Sequence, residues 1–276
     1  MNLVSFSTTP DPRFLDLVWD EFFRARNRGC SLRAHFPWIA DSSASTLYAR
    51  IEEGSEFISG LVMKDGTYCM RGRFPRVALI GLVCVRPQYR GRGFSRELLT
   101  AAIERARGDG YDALTLWTGK PQVYERLGFQ LEDRSLFGWV VNPDASDGVD
   151  PFVYDCSCDG TVCEKSMNIA LPPFASAGVI LRNGNAAATI VADNVGPILA
   201  ETGGEADDVV ELLGSAMPRR WRMNALMGDP ILSLLRHKGW QIELEQVHLQ
   251  MWISLSEEFA PKVLADLGRF TVLDRI

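Results

Sequence analysis

The run Val83-Cys84-Val85-Arg86-Pro87-Gln88-Tyr89-Arg90-Gly91-Arg92-Gly93-Phe94-Ser95-Arg96 carries an apolar strand into a helix through a turn of small and cationic residues. Upstream, Val77 to Val85 is nearly continuously apolar, which suits a central strand buried on both faces, and Pro87 ends it. Downstream, Leu98, Leu99, Ala102, Ile103 and Ala106 form one stripe of a helix expected from Phe94 to Arg107. Such a turn presents main-chain N–H groups at the positive end of a helix dipole, an anion site suited to phosphate. Gly91 and Gly93 remove side chains that would block a close approach, and Arg90, Arg92 and Arg96 add cationic reach. A Walker A loop needs G-x4-G-K-[ST], which is missing. A dinucleotide fingerprint needs a third glycine where Arg96 stands. What remains is Q-x-x-G-x-G, carried by Gln88, Gly91 and Gly93.

On the N-terminal side, Phe14, Leu15, Val18, Phe22 and Phe23 give one apolar face to a helix expected from Asp11 to Arg28, with Gly29 as its stop. Arg33 to Trp38 reads as a loop rich in aromatics. Phe57–Met63 and Tyr68–Arg73 read as strands joined by a turn at Lys64-Asp65-Gly66-Thr67, because Asp-Gly is a strong hairpin signal. On the C-terminal side come a strand at Ala113–Trp117, a short helix at Gln122–Leu127 capped by Gly128, and one or two strands from Phe129 to Val141. The polar stretch Asn142–Gly148 reads as a domain boundary. Beyond it, strands are expected at Ala177–Leu181, Ala186–Val191, Ile198–Glu201, Trp221–Leu226 and within Ile242–Leu255. Helices are expected at Ala206–Leu213 and Pro230–His237. The order of strand, helix, strand, short helix ending in glycine, strand thus occurs twice, which predicts a tandem repeat.

The strand before the turn, Gln88, Gly91 and Gly93 within it, the helix after it, and the segment Tyr124-Glu125-Arg126-Leu127-Gly128-Phe129 together resemble the GNAT acyl-CoA N-acyltransferase superfamily. The match covers about residues 60 to 140. The resemblance implies an α/β (α+β) fold with a mixed, mostly antiparallel central sheet flanked by helices, here in two tandem copies. It implies acetyl-CoA as cosubstrate, its pyrophosphate on the N–H groups of Tyr89, Arg90, Gly91, Arg92, Gly93 and Phe94, with Ser95, Arg96 and Gln88 beside them. The pantetheine arm would pair with Val83, Cys84 and Val85 like an added strand. A strand N–H near Val83 would polarise the thioester carbonyl, and Tyr124 would protonate the departing thiolate. Larger members of the tandem arrangement carry a further C-terminal module and use their terminal carboxylate. The chain stops at Ile276 without such a module, so that role is not expected here.

Moving an acyl group from a thioester to an amine requires an amine that has lost its proton, a stabilised carbonyl oxygen and a protonated leaving thiolate. A phenol serves the last step through placement rather than acid strength. The strand Ala78–Val85 contains no Asp or Glu, although many members of the superfamily carry a glutamate there, so no base is assigned. Asp41, Glu52, Glu53 and Glu56 lie in the segment that borders the acceptor site in the superfamily, and Trp19, Phe22, His35, Phe36, Trp38 and Trp117 are candidates to line an acceptor pocket. Cys84 offers an acyl-cysteine route, against which direct transfer is favoured. In the second copy, Glu205, Asp207 and Asp208 follow the corresponding strand and would repel pyrophosphate, and no tyrosine matches Tyr124. That copy reads as degenerate.

The chain has 276 residues, 46% of them hydrophobic, and a net charge of -6, which argues against nucleic-acid binding and against a basic membrane-docking face. No apolar run of about 18 residues exists, and the N-terminus lacks the features of a signal peptide, so a cytoplasmic protein is expected. Cys156, Cys158 and Cys163 crowd together, but their C-x-C-x4-C spacing and only three histidines do not make a zinc site, and no metal is expected. The expected layout is a cofactor-binding catalytic domain over residues 1–145, a linker over 146–176 and a degenerate copy over 177–276. The expected activity is transfer of an acetyl group to a primary amine of a small molecule or peptide. A non-catalytic acyl-CoA sensor is the alternative. Acceptor, acyl length and oligomeric state, a homodimer included, stay open.

Overall fold

The computed structural model describes residues 4–27, 31–40, 45–66, 75–153, 163–167, 169–267 and 270–276. Cys30, Cys69, Cys156, Cys158, Gly29, Asp41 and the expected strand Tyr68–Arg73 lie outside the described residues. The chain divides into two compact units: residues 1–133, 248–268 and 275–276 form the first, residues 134–247 and 269–274 the second.

The first unit begins with β1 (Ser5–Ser7) and α1 (Pro12–Val18). Asp11 caps α1 by accepting from the Arg13 amide, Pro12 occupies the first turn, and Phe14, Leu17 and Val18 face inward. The single helix expected to Arg28 instead becomes a π-helical turn at Trp19–Phe23 and a 3-10 turn at Arg24–Arg26. Residues expected as loop form α2 (Leu32–His35), capped by Ser31, and a 3-10 turn at Pro37–Ala40. Next come β2 (Thr46–Glu53), β3 (Glu56–Gly66), β4 (Val77–Val85), α3 (Phe94–Gly108), β5 (Ala113–Trp117), α4 (Pro121–Glu125) and β6 (Gln130–Leu131). β2 escapes the sequence pattern because it carries Arg50 and Glu52. Both are spent in an ion cluster, in which Arg50 reaches Asp11 at 3.1 Å and Glu52 at 3.2 Å, and Arg13 bridges Asp11 and Glu52. The expected turn at Lys64–Thr67 is corrected: Lys64, Asp65 and Gly66 continue β3 and pair with Leu79, Ala78 and Val77. A Cβ at Gly66 would lie 2.5 Å from Leu79 Cδ1, so any larger residue there would push the Leu79 side chain aside.

The second unit contains β7 (Ser135–Val141), β8 (Cys163–Ser166), β9 (Ala177–Asn183), β10 (Ala186–Asp193), β11 (Gly196–Gly203), α5 (Ala206–Ala216), β12 (Arg220–Leu226), α6 (Pro230–His237) and β13 (Gln241–Gln246). The chain then returns to the first unit with β14 (Gln250–Ser254) and α7 (Pro261–Leu267). The first sheet runs β1-β2-β3-β4-β5-β14-β6 and the second β13-β7-β12-β11-β10-β9-β8. In each, one central pair is parallel (β4 with β5, β11 with β12) and the other pairs are antiparallel. The slot beside β5 is filled by β14 from late in the chain, and the slot beside β12 by β7 from before the second copy. The two copies therefore exchange one strand each. A domain ending at residue 145 and a linker at 146–176 do not describe this division, because β7 hydrogen-bonds to β12 and β13 rather than to the first sheet.

One core lies between the first sheet and α3, where Phe94, Leu98, Leu99, Ala102, Ile103 and Ala106 are buried. The other face of that sheet packs on Phe14, Leu17, Val18 and Phe23. In the second unit, Val209, Val210, Leu212, Leu213 and Ala216 of α5 fill the equivalent core.

Candidate active site

The apolar run that sequence places at the centre is β4, flanked by β3 and β5. Its parallel pairing with β5 covers Val77, Ala78 and Leu79 against Ala113, Leu114 and Thr115, and then ends. From there to Val85 the two strands diverge, so β4 turns an unpaired edge toward the opening. The β3–β4 register slips in the same region. Gly60 lies opposite Cys84 and Val62 opposite Gly81, which leaves two β4 residues against Leu61. This is a β-bulge, and it holds Leu82 at φ 52, where a branched side chain is strained. The core against α1 clamps Leu82 in place.

The bulge sets which side chains face which side. Val83 and Val85 pack on the core that holds α3, Tyr89, Tyr124 and Leu127. Cys84 points to the other face, against α1, with its Sγ 3.8 Å from the Gly60 carbonyl. Burial pushes its thiol up to about 12, so Cys84 stays protonated and is no acyl carrier.

At the mouth of the opening, Pro87–Tyr89 forms a 3-10 turn, and Gly91 and Gly93 take φ 78 and φ 88. A Cβ at either glycine would meet nothing within 4 Å, so the turn is open above and the glycines serve its left-handed backbone. Gly93 is the N-cap of α3 and no side chain caps the helix, which leaves first-turn amides exposed to an anion. Ser95, Arg96 and Leu99 of α3 face Gln122, Val123, Arg126 and Leu127 across a groove of about 250 Å³. Neither Arg96 nor Arg126 has an ion-pair partner among the described residues. Sequence reasoning missed Arg126. The signal was its position two residues beyond Tyr124, at the C-cap of a short exposed helix.

The other cationic and polar side chains of the turn are engaged. Arg90 Nε donates to the Val85 carbonyl at 3.2 Å, and its Nη2 meets Glu21 Oε2 at 2.5 Å. Tyr89 donates its hydroxyl to Glu56 at 2.7 Å, and Gln88 donates to the same carboxylate at 3.3 Å. That hydrogen bond, helped by desolvation, raises the Tyr89 phenol above its ordinary value. Arg92 lies over the Tyr89 ring at 5.3 Å.

Tyr124 stands on α4, packed edge-on against Phe129 at 6.0 Å, and its phenol has no hydrogen-bond partner among the described residues. Burial raises its pKa, so it is a neutral donor at physiological pH.

Of the acceptor candidates, Trp19, Phe22, Phe36 and Trp38 join the core on the α1 face, and His35 is buried and stacked on Phe23 at 4.6 Å. Trp117 ends β5. Glu52 is held by Arg13 and Arg50, Glu53 is exposed, and Glu56 serves the turn. On that same face the main chain of Ile276 abuts Gly81, where a Cβ would lie 2.4 Å from the Ile276 carbonyl carbon. Among the described residues no group of His, Cys, Asp and Glu could hold a metal ion, and no helix is long and apolar enough to cross a membrane.

Residues 12–129 match the model of the acetyltransferase (GNAT) family. An uncharacterized N-acetyltransferase of Methanocaldococcus jannaschii is 29% identical over 113 residues, 39% of this chain, and the match spans about half (49%) of that relative's length. Among solved structures, a GCN5-related N-acetyltransferase from Kribbella flavida aligns over 92% of this chain and 72% of its own, with a TM-score of 0.63 at 16% identity. A tandem GNAT protein from the clavulanic acid biosynthesis pathway aligns over 92% and 99%, with a TM-score of 0.53 at 11% identity. The fold is therefore that of GNAT proteins, in two copies.

Proposed function

We propose that the chain, whose residues 12–129 match the model of the acetyltransferase (GNAT) family, is an acetyl-CoA-dependent N-acetyltransferase acting on a primary amine of a small molecule or peptide by direct transfer. The observation that carries this reading is the opening between β4 and β5, with an open glycine turn and an uncapped helix start at its mouth and Tyr124 on the same core as Val83. The diphosphate would rest on the amides from Gly91 to Ser95, with Arg96 and Arg126 beside it. The pantetheine arm would pair with the free edge of β4 from Val83 to Val85, and a β4 amide near Val83 would polarise the thioester carbonyl. The neutral amine nitrogen, its ammonium proton already lost to solvent, attacks that carbon. The C–S bond breaks as Tyr124 delivers its proton to the leaving sulfur, the new C–N nitrogen gives up its extra proton to water, and Tyr124 is reprotonated from water. Because burial makes Tyr124 a weaker acid than a free phenol, its contribution rests on placement. β4 supplies no carboxylate base, and the amine's proton would leave through water.

Turnover of acetyl-CoA over a panel of amino acids, polyamines, aminoglycosides and peptide N-termini tests the reading. Acetylation of some amine, lost in Tyr124→Phe with acetyl-CoA affinity kept, is the expected result. Tight CoA binding with no turnover on any amine would replace the enzyme by an acyl-CoA sensor.

A further inference from the structure

Two carboxylates from outside the turn hold the side chains that its sequence offers to phosphate. Glu56 takes Tyr89 and Gln88. Glu21 takes Arg90, and it stands in the π-helical turn Trp19–Phe23, a geometry that often marks functional positions.

Where Arg90 is held matters more than that it is held. The Arg86 amide donates to the Ile58 carbonyl of β3 at 2.9 Å, and Ser59 lies opposite Val85. Adjacent residues of an extended strand aim their peptide groups at opposite edges, so the Val85 carbonyl faces away from β3, into the opening. Arg90 Nε therefore occupies an acceptor on the edge of β4 that is left free by β5.

We propose that Glu21 is a positioning residue that withdraws Arg90 from the diphosphate cradle and pins it on the Val85 carbonyl, and thereby lowers cofactor affinity from the α1 side of the sheet. The proposal rests on the acetyl-CoA reading above and deepens it. In the free protein Arg90 is a brace between the turn, the end of β4 and the π-helical turn. The diphosphate is left to main-chain amides, Arg96 and Arg126. An arriving pantetheine arm must compete with Arg90 for the Val85 carbonyl. Releasing Arg90 from Glu21 frees a guanidinium within one residue of the cradle, so loss of the carboxylate strengthens binding rather than weakening it.

The test is calorimetric titration of the full chain at fixed low salt with two probes. One is CoA. The other is 3′-phosphoadenosine 5′-diphosphate, which carries the diphosphate without the arm. Because the pair is half exposed, the expected effects are small but opposite in sign to those of a phosphate ligand. Glu21→Gln and Glu21→Ala should each tighten the diphosphate probe by about two- to fivefold. Arg90→Gln should leave the diphosphate probe within about twofold of wild type, and the gain from Glu21→Gln should vanish in the double variant. Arg90→Gln weakening the probe as much as Arg96→Gln would make Arg90 a phosphate ligand and overturn the proposal. Unchanged or weaker binding in both Glu21 variants, with melting temperatures held, would overturn it as well. Wild-type protein that binds neither probe defeats the acetyl-CoA reading itself. Binding without the Glu21 gain defeats this inference alone.

Discussion

The turn after β4 and the turn after β11 stand at the same place in two sheets of the same order, and only the first leaves an uncapped helix start beneath open glycines. The shared part is backbone. β11 pairs with β12 only at Ile198 and Leu199, as β4 pairs with β5 only to Leu79, and the β10–β11 register slips between Thr189 and Ile190. The difference is chemical. α3 starts from Gly93 with an open turn and one acidic residue, Glu97, in its first turn. α5 starts from Glu205 and puts both Asp207 and Asp208 in its first turn, where they already satisfy the helix dipole. At Gly204 a Cβ would lie 2.1 Å from the Asn185 carbonyl oxygen, so main chain crowds the second turn where the first is open. α6 offers leucines where α4 offers Tyr124. A splayed parallel pair is thus a property of the fold, and the chemistry of its mouth is set by a handful of residues.

The comparison can be broken most sharply at Tyr124. Tyr124→Phe should lower turnover by about a hundredfold or more, the usual share of a general acid, while acetyl-CoA affinity from calorimetry stays within about twofold. Equal losses in both would remove the acid role. Giving the first turn the charge of the second comes next. Gly93→Asp places a carboxylate and a strained backbone at the cap of α3 and should weaken CoA by more than about tenfold in the same titration. A smaller effect is expected at the bulges. Buried Ala200 fits its strand, whereas β4 carries Gly81 because Ile276 closes on it. Gly81→Ala should destabilise the protein by about 1–3 kcal/mol in thermal or denaturant unfolding.

Each unit also carries an arginine–aspartate pair, Asp11 with Arg13 and Asp193 with Arg222, and acid weakens both. Burial pushes Asp193 up, but its hydrogen bonds from Arg222 and the Val195 amide outweigh that and hold the carboxyl below the ordinary 3.8. A carboxyl depressed in the folded state stabilises above the unfolded pKa and loses that contribution as pH falls through the folded value. Asp193→Asn should therefore cost about 1–3 kcal/mol near neutrality and flatten the acid limb of the unfolding curve below pH 3.8. The smallest effect belongs to α5. Asp207→Asn should lower stability by about 0.3–1 kcal/mol and leave CoA binding untouched.

What could be read from the sequence was local. β4, the glycine turn, α3 and Tyr124 follow from short-range pattern, and the bounds of Val77–Val85, Ala113–Trp117 and Pro230–His237 agree with the structure. What could not be read depends on distant partners. β7 and β14 look like the last strands of their own copies, and nothing in their side chains says that each completes the other sheet. The Asp65-Gly66 pair has turn chemistry, yet both residues continue β3 and pair with Ala78 and Val77. The left-handed Leu82 carries no sequence mark at all. It is forced by the slip between β3 and β4. Arg90 and Tyr89 have phosphate-binding side chains, and only the fold shows that Glu21 and Glu56, more than 30 residues away in sequence, take hold of them.

Calorimetric titration of CoA into the wild-type chain puts the matter most directly, because it counts the turns that bind. The first turn alone should bind, with one CoA per chain and an affinity that falls as salt rises. The Tyr89 and Arg90 amides, also expected in the cradle, donate instead to the Arg86 and Pro87 carbonyls. Two equivalents per chain, or no heat at any concentration, would contradict the claim that open amides between Gly91 and Ser95 distinguish the first copy from the second.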